Sequence, residues 1–261
     1  PAIFYAGTTE YLLGNSETAL SYLQRVNAQF PDHPMTRKIL AEIRAKAQDF
    51  AAVERLLDPV VEANPKDVLA LNLLAHSLVQ QRKQAEGVGY LKAVAVMEPQ
   101  SAAAQANLAS ALLSSGQIGE GFTSFQEALA LEPEDKRTAA RAVLGLIEAQ
   151  AHDKAVKLAT EFRDNNPESA NAYLLLGLAH LANNDAGMAS DAFARVLELD
   201  PGNTSANSAL GMIALREGKP EEAKRRYEDT LKFHPGHLSS LMNLGALEAV
   251  HGNTGDRKSV V

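Results

Sequence analysis

Residues 170–203 read ANAYLLLGLAHLANNDAGMASDAFARVLELDPGN, and the fold follows from how this stretch is read. With Ala170 as position 1, Tyr173 stands at 4, Leu176 at 7, Gly177 at 8, Ala189 at 20, Phe193 at 24, Val196 at 27 and Pro201 at 32. Apolar residues three and four apart put one stripe on each of two successive helices, called A and B below. Working outward, the proline recurs every 34 residues, at Pro31, Pro65, Pro99, Pro133, Pro167, Pro201 and Pro235. A fixed period of this length is the signature of stacked supersecondary units.

Position 8 is small in nearly every copy: Gly7, Ala41, Ala75, Ala109, Gly177, Gly211 and Gly245. Position 20 is small too, at Ala19, Gly87, Gly121, Ala155, Ala189 and Ala223. A glycine inside a helix costs roughly 1 kcal/mol relative to alanine, so repeated mid-helix glycines require close packing of A on B. The proline falls just past helix B, where a ring that cannot continue the helix does no harm. Asp67, Asp135, Asp200 and Asn203 beside it suit turns and helix N-caps. One such hairpin cannot bury its own apolar face, so neighbours must stack.

These residues resemble the tetratricopeptide repeat (TPR) family, with bulky side chains at 4, 7 and 24 and small ones at 8 and 20. The resemblance implies an all-α fold, a TPR α-solenoid in which antiparallel helix pairs wind into a right-handed superhelix. Seven repeats and the A helix of an eighth predict one array over 1–253. Leu238–His251 reads as that last A helix and Gly252-Asn253 as its turn. The tail 254–261 lacks a helix-B pattern and reads as disordered, and whether it is native sequence stays open. Because Pro1 already stands at position 2, the chain reads as cut at both ends.

The pattern bends in places. In the second repeat Arg37 replaces the bulky residue at 4, Arg44 stands at 11, and Pro59 inside helix B predicts a kink or shortening. The fifth repeat reads as the loosest, with Ala139 at 4, Val143 at 8 and Ala159 at 24.

Composition narrows the function classes. Of the residues, 46% are hydrophobic, enough for a core, and no 18-residue apolar run exists to span a membrane. The formal net charge of −7 argues against nucleic acid as a partner, which calls for a basic stripe. With no cysteine there are no disulfides or thiolate ligands, and cytoplasm and periplasm stay equally open. The seven histidines are scattered, and His234 and His237 read as a surface turn without further ligands. Gly87-Val88-Gly89 lacks the third glycine and preceding strand of a phosphate loop. No nucleophile–base constellation stands out, so no enzyme, cofactor or metal is predicted.

The resemblance implies that helix A lines an inner face through positions 2, 5, 6, 9, 12 and 13. From the fifth repeat onward these positions hold Leu144, Ile147, Leu174, Leu178, Leu181, Met212, Leu215 and Met242. An apolar stripe facing water marks a partner site, and methionine suits an adaptable one. The sixth repeat carries leucine at 5, 6, 9 and 12, where its core needs only 4, 7, 8 and 11. The alternative is that some of these residues pack against neighbouring A helices.

A second cluster is polar. Asn107, Arg137 and Arg141, near Asn72 and His76, resemble part of the carboxylate clamp with which some TPR domains grip a peptide C-terminus. Guanidinium groups suit that role through bidentate hydrogen bonds. The clamp's lysine at 5 and asparagine at 9 are replaced by Asn72 and His76, so two solvated arginines at a helix start is the preferred reading. The expected function is therefore a non-catalytic interaction scaffold for a protein or peptide, of unknown oligomeric state. Residues 111–135, 142–185 and 209–237 further resemble the large TPR lipoproteins of bacterial PEP-CTERM sorting and exopolysaccharide systems. That resemblance implies a periplasmic or outer-membrane-anchored location. A regulatory arm of a larger enzyme such as a glycosyltransferase, or a cytoplasmic peptide-tail adaptor, are the alternatives.

Overall fold

The computed structural model describes residues 2–258, with side chains as far as residue 249. Among the described residues there are fifteen α-helices and no strand. They are α1 (Ala2–Leu12), α2 (Ser16–Gln29), α3 (Pro34–Lys46), α4 (Phe50–Ala63), α5 (Val68–Gln80), α6 (Gln84–Met97), α7 (Ala102–Ser114) and α8 (Ile118–Leu131). The series continues with α9 (Lys136–Glu148), α10 (His152–Asn165), α11 (Ala170–Ala182), α12 (Ala186–Leu199), α13 (Thr204–Arg216), α14 (Pro220–Phe233) and α15 (Leu238–Lys258). The repeat thus divides into a 13-residue A helix, a three-residue turn, a 14-residue B helix and a four-residue turn. Each A helix packs on its own B helix, and each B helix on the next A helix within a unit. The helices gather into two compact units, Pro1–Leu131 and Glu132–Val261, whose boundary falls at a B-to-A turn.

Turn chemistry explains the proline period. In each four-residue turn the last N–H reaches back three residues, as in His33 N to Phe30 O (3.2 Å), Asp67 N to Asn64 O (3.1 Å) and Asn203 N to Asp200 O (3.1 Å). Proline is the second residue of each turn, the position its fixed φ favours. In six of the seven turns the last residue then caps the next helix through its side chain, Ser169 before α11 being the exception. Asp67, Ser101 and Asn203 accept from the backbone N–H three residues on (Ala70, Ala104 and Ala206), Asp135 accepts from Arg137 two residues on, and His33 and His237 do the same job through Nδ1 for Thr36 and Ser240.

The three-residue turns follow a rule that sequence reading missed. Their central residue lies in the left-handed region every time: Gly14, Gln48, Arg82, Gly116, Gln150, Asn184 and Gly218. These too are 34 apart. The following N–H bonds five residues back, as in Asp185 N to His180 O (2.9 Å), which closes the A helix in a Schellman motif. The next position in the series is Gly252, and there the chain does not turn: α15 runs through Gly252 and Asn253 to Lys258. The expected turn is thus absent; no helix-B apolar pattern follows to draw the chain back, so the i→i+4 ladder continues. The expected disordered tail is helical over 254–258, and 259–261 lie outside the described residues.

Packing between A and B is a size match between positions 8 and 24. A Cβ on Gly7 would stand 2.9 Å from Leu23 Cγ, on Gly177 2.5 Å from Phe193 Cε1, and on Gly211 2.7 Å from Tyr227 Cε1. Where position 8 is alanine (Ala41, Ala75, Ala109), position 24 is leucine twice and phenylalanine once (Leu57, Leu91, Phe125), and all six are buried. The fifth repeat reverses the pair: Val143 at 8 faces the place that Ala159 leaves, and both are fully buried. Both places are thus filled, although α9 and α10 pack on each other more sparsely than any other A–B pair, as the sequence leads one to expect. Arg37, in place of a bulky residue, folds back so that its Nε donates to Pro31 O and Nη2 lies 3.4 Å from Asp32. The helix with Pro59 keeps the full fourteen residues of its class.

Candidate partner-binding surface

In the second unit, α9, α11 and α13 are consecutive A helices, with α9 packed against α11. Residues three apart on a helix share a face. The pairs Leu144/Ile147, Leu178/Leu181 and Met212/Leu215 therefore stand at matching places on the three helices. Leu144 is 45% exposed, Met212 51%, Leu215 40% and, on α15, Met242 65%. Ile147, Leu174, Leu178 and Leu181 are half-buried. Leu174, Leu178 and Leu181 lean on the cluster of Phe193, Val196, Leu210 and Ile213, so part of each serves the core. Leu175, one of the four leucines counted beyond core need, is fully inside: position 6 of this helix belongs to the core.

The polar cluster is divided between the units. In the first, Asn107 Nδ2 donates to Asn72 Oδ1 (3.3 Å) and Asn72 Nδ2 donates to Val68 O (2.9 Å). In the second, Arg137 and Arg141 stand exposed, one turn apart, at the start of α9. Arg141 is exposed by area, yet enough chain surrounds its guanidinium for burial to draw its pKa below the ordinary value. Asp135 opposes that shift and Arg137 adds to it.

The first unit has its own features. Phe4, Tyr5, Val26, Phe30 and His33 line an open cavity of about 660 Å³. Phe4 meets Tyr5 and His33 edge-on, with centroids 5.6 and 4.9 Å apart. On the A-helix side, Tyr11 donates to Glu42 and lies under Lys46 Nζ (4.9 Å). That hydrogen bond, with burial and the Glu42 charge, pushes the phenol up to about 12. Among the described residues no group of three or more His, Asp and Glu side chains is placed to hold a metal ion, and no helix is long and apolar enough to cross a membrane.

Tetratricopeptide repeat family models match residues 11–76 and then 72–136, 141–204 and 208–256. The chain belongs to the tetratricopeptide repeat family. TPR arrays generally mediate protein–protein interactions, which fits an apolar A-helix face better than any chemistry at this surface. No curated protein matches the chain. Among solved structures it is similar to the C-terminal part of a TPR repeat-containing protein from Cytophaga hutchinsonii, with 12% identity, TM-score 0.65, and 92% of this chain and 99% of that one covered. It is also similar to a tetratricopeptide repeat protein from Parabacteroides merdae, with 10% identity, TM-score 0.62, and 94% and 97% covered. At these identities the likeness speaks for the TPR fold alone.

Proposed function

We propose that this TPR protein is a non-catalytic scaffold that binds a protein or peptide through the A-helix face of its second unit. The contact runs across Leu144, Ile147, Leu178, Leu181, Met212 and Leu215, with Leu174 and Met242 at its margins. One observation carries this: apolar side chains stand at matching places on three successive A helices, with Leu144, Met212 and Leu215 exposed and Leu178 and Leu181 half-buried. Soluble proteins rarely leave contiguous apolar area uncovered without a use for it. Burying one leucine is worth about 1.5–3 kcal/mol, so three supply roughly micromolar affinity after the cost of association.

The test installs a photo-crosslinking residue at Met212, identifies the polypeptide it captures, and measures purified binding to the unmodified protein and to variants. Met212→Asp and Leu215→Asp should abolish an interaction that barely responds to salt. A charge-led site would instead weaken steeply with ionic strength. Loss on Arg137→Ala with Met212→Asp unaffected would transfer the site to the arginines.

The resemblance to the TPR lipoproteins of PEP-CTERM and exopolysaccharide systems supports a narrower reading, in which the scaffold serves polysaccharide export or surface assembly outside the cytoplasm. The complete open reading frame tests it. A signal peptide ending in a lipidated cysteine is expected; a downstream catalytic domain would make the array the arm of an enzyme instead.

A further inference from the structure

Each hairpin has a mouth, the end at which helix A begins and helix B finishes. In three later repeats the preceding proline turn is held there. Arg37 Nε donates to Pro31 O, and Asp32 of the same turn lines a cavity of about 300 Å³ together with Val60, Ala63, Asn64 and Asp67. Asn166 Nδ2 donates to Pro133 O (2.9 Å), and His234 Nε2 donates to Gly202 O (3.2 Å). Phe233 packs on Gly202, where a Cβ would stand 3.3 Å from its Cγ. The mouth is thus a seat for the backbone of a proline turn, gripped through a carbonyl group.

The first hairpin lines the same seat differently. Positions 4, 5, 27, 30, 31 and 34 border both its cavity of about 660 Å³ and the cavity of the second repeat. Position 31 is Phe30 here, against Asn64, Glu98, Glu132, Asn166, Asp200 and His234 in the other six repeats. Phe4 and Tyr5 complete an aromatic wall, and Tyr5 and Phe30 are both exposed. Among the described residues no carboxylate lines it. One donor remains. His33 Nδ1 accepts from Thr36 N–H (3.2 Å), so the ring proton sits on Nε2. Among the described residues nothing accepts from that Nε2–H.

The wall therefore offers aromatic faces and a single N–H. An ammonium ion would find rings but no carboxylate, and would face the N–H. A bare aryl group would leave the N–H without an acceptor. A proline meets both demands, because its ring lies on aromatic side chains and its carbonyl accepts. We infer that the mouth of the first hairpin docks a proline-bearing turn of a partner protein, with the ring against Phe4 and Phe30 and a carbonyl toward His33 Nε2. Phenylalanine at position 31 sets it apart from the seats that hold this chain's own turns. The site belongs to the first unit alone and stands or falls independently of the A-helix face of the second.

The experiment uses the full chain with ring-labelled phenylalanine and histidine, titrated with capped heptapeptides and followed by NMR. One peptide copies residues 198–204, a turn this fold already seats, and its control carries alanine in place of the proline. The proline peptide should shift the Phe4, Phe30 and His33 signals and bind at least about fivefold more tightly than the control. Phe30→Asn installs the residue found at this position in the second and fifth repeats, at a place 58% exposed where the fold is kept, and should weaken binding about fivefold. His33→Asn keeps a helix cap but loses the Nε2–H, and should weaken it about threefold. Equal binding of the alanine peptide would overturn the proline. Benzamide or tetramethylammonium shifting the same signals at lower concentration would give the site to an aryl group or a cation instead. Unchanged binding to Phe30→Asn would put the peptide elsewhere and sink the site. A complete open reading frame with another repeat upstream would make that repeat's turn the occupant, and the partner would be wrong.

Discussion

The size match between positions 8 and 24 makes a sharp prediction at Gly177. A single Cβ there would lie 2.5, 2.7 and 2.8 Å from Cε1, Cδ1 and Cζ of Phe193, whose ring is fully buried. Carbon atoms settle near 3.5–4.0 Å, so valine at 177 drives its first carbon about 1 Å into the ring and adds two methyls behind it. Overpacking of this kind costs about 1–3 kcal/mol, and valine's better helix propensity recovers only a few tenths of that. Phe193→Ala alone should cost about 3–5 kcal/mol through the cavity it opens. The fifth repeat shows the remedy, because Val143 and Ala159 fill the same two places with the sizes exchanged. The double variant Gly177→Val, Phe193→Ala should therefore be more stable than the sum of the single losses predicts, with a coupling of about 1–3 kcal/mol. Urea titration of the four proteins measures the cycle, and hydrogen exchange locates the damage. The first loosening should stay in α11, α12 and the helices packed on them, as nearest-neighbour stacking requires. Additive losses, or exchange that rises evenly along the whole chain, would refute the reasoning.

Other outcomes follow from single sites. Gln150→Gly should raise the melting temperature modestly, since a left-handed non-glycine costs about 1–2 kcal/mol and glycine gives back part of that in unfolded-state entropy; Gly116→Ala, at φ +80°, should lower it. Asn207 is 1% exposed with neither amide atom hydrogen-bonded within the protein, so Asn207→Leu should stabilise by about 1–3 kcal/mol in denaturant titration; a loss would reveal a partner held by that amide. Lys38 Nζ lies 2.8 Å from Asp67, both 14% exposed. Burial alone would raise the Asp67 pKa, but the Lys38 ammonium and the Ala70 N–H outweigh it and hold the carboxyl below its ordinary value. Its contribution is therefore full above the unfolded carboxylate pKa of about 4 and is lost as pH falls through the lower folded value. Asp67→Asn, which keeps the helix cap, should cost about 1 kcal/mol at neutral pH and nothing in strong acid, as thermal melts across pH will show.

Much of the fold is legible in the chain because each repeat is punctuated locally. Pro201 sets a turn by its own ring, Asn203 caps α13 with its own side chain, and small residues such as Gly177 announce close approach. None of these needs a distant neighbour to be understood. The left-handed turn residues were harder to see, because Gln48, Arg82 and Gln150 carry no turn signal of their own. The helix end and the packing of A on B force the conformation on them, against local preference.

The surface is where sequence stops deciding. Leu174, Leu175, Leu178 and Leu181 are the same side chain on one helix, yet Leu175 is core and the other three are half core and half surface. Which of them meets water depends on what α12 and α13 place beside them. The exchanged sizes of Val143 and Ala159 look like weakness in a single line of sequence and become complementary only when the two helices face each other. So too with Gly252, whose register promises a turn that the chain does not make. The sequence by itself determined the period, the turns and the helices, since those are settled by neighbours along the chain. Tertiary structure decided which apolar atoms stay exposed, because burial is a property of pairs of helices and not of any one of them.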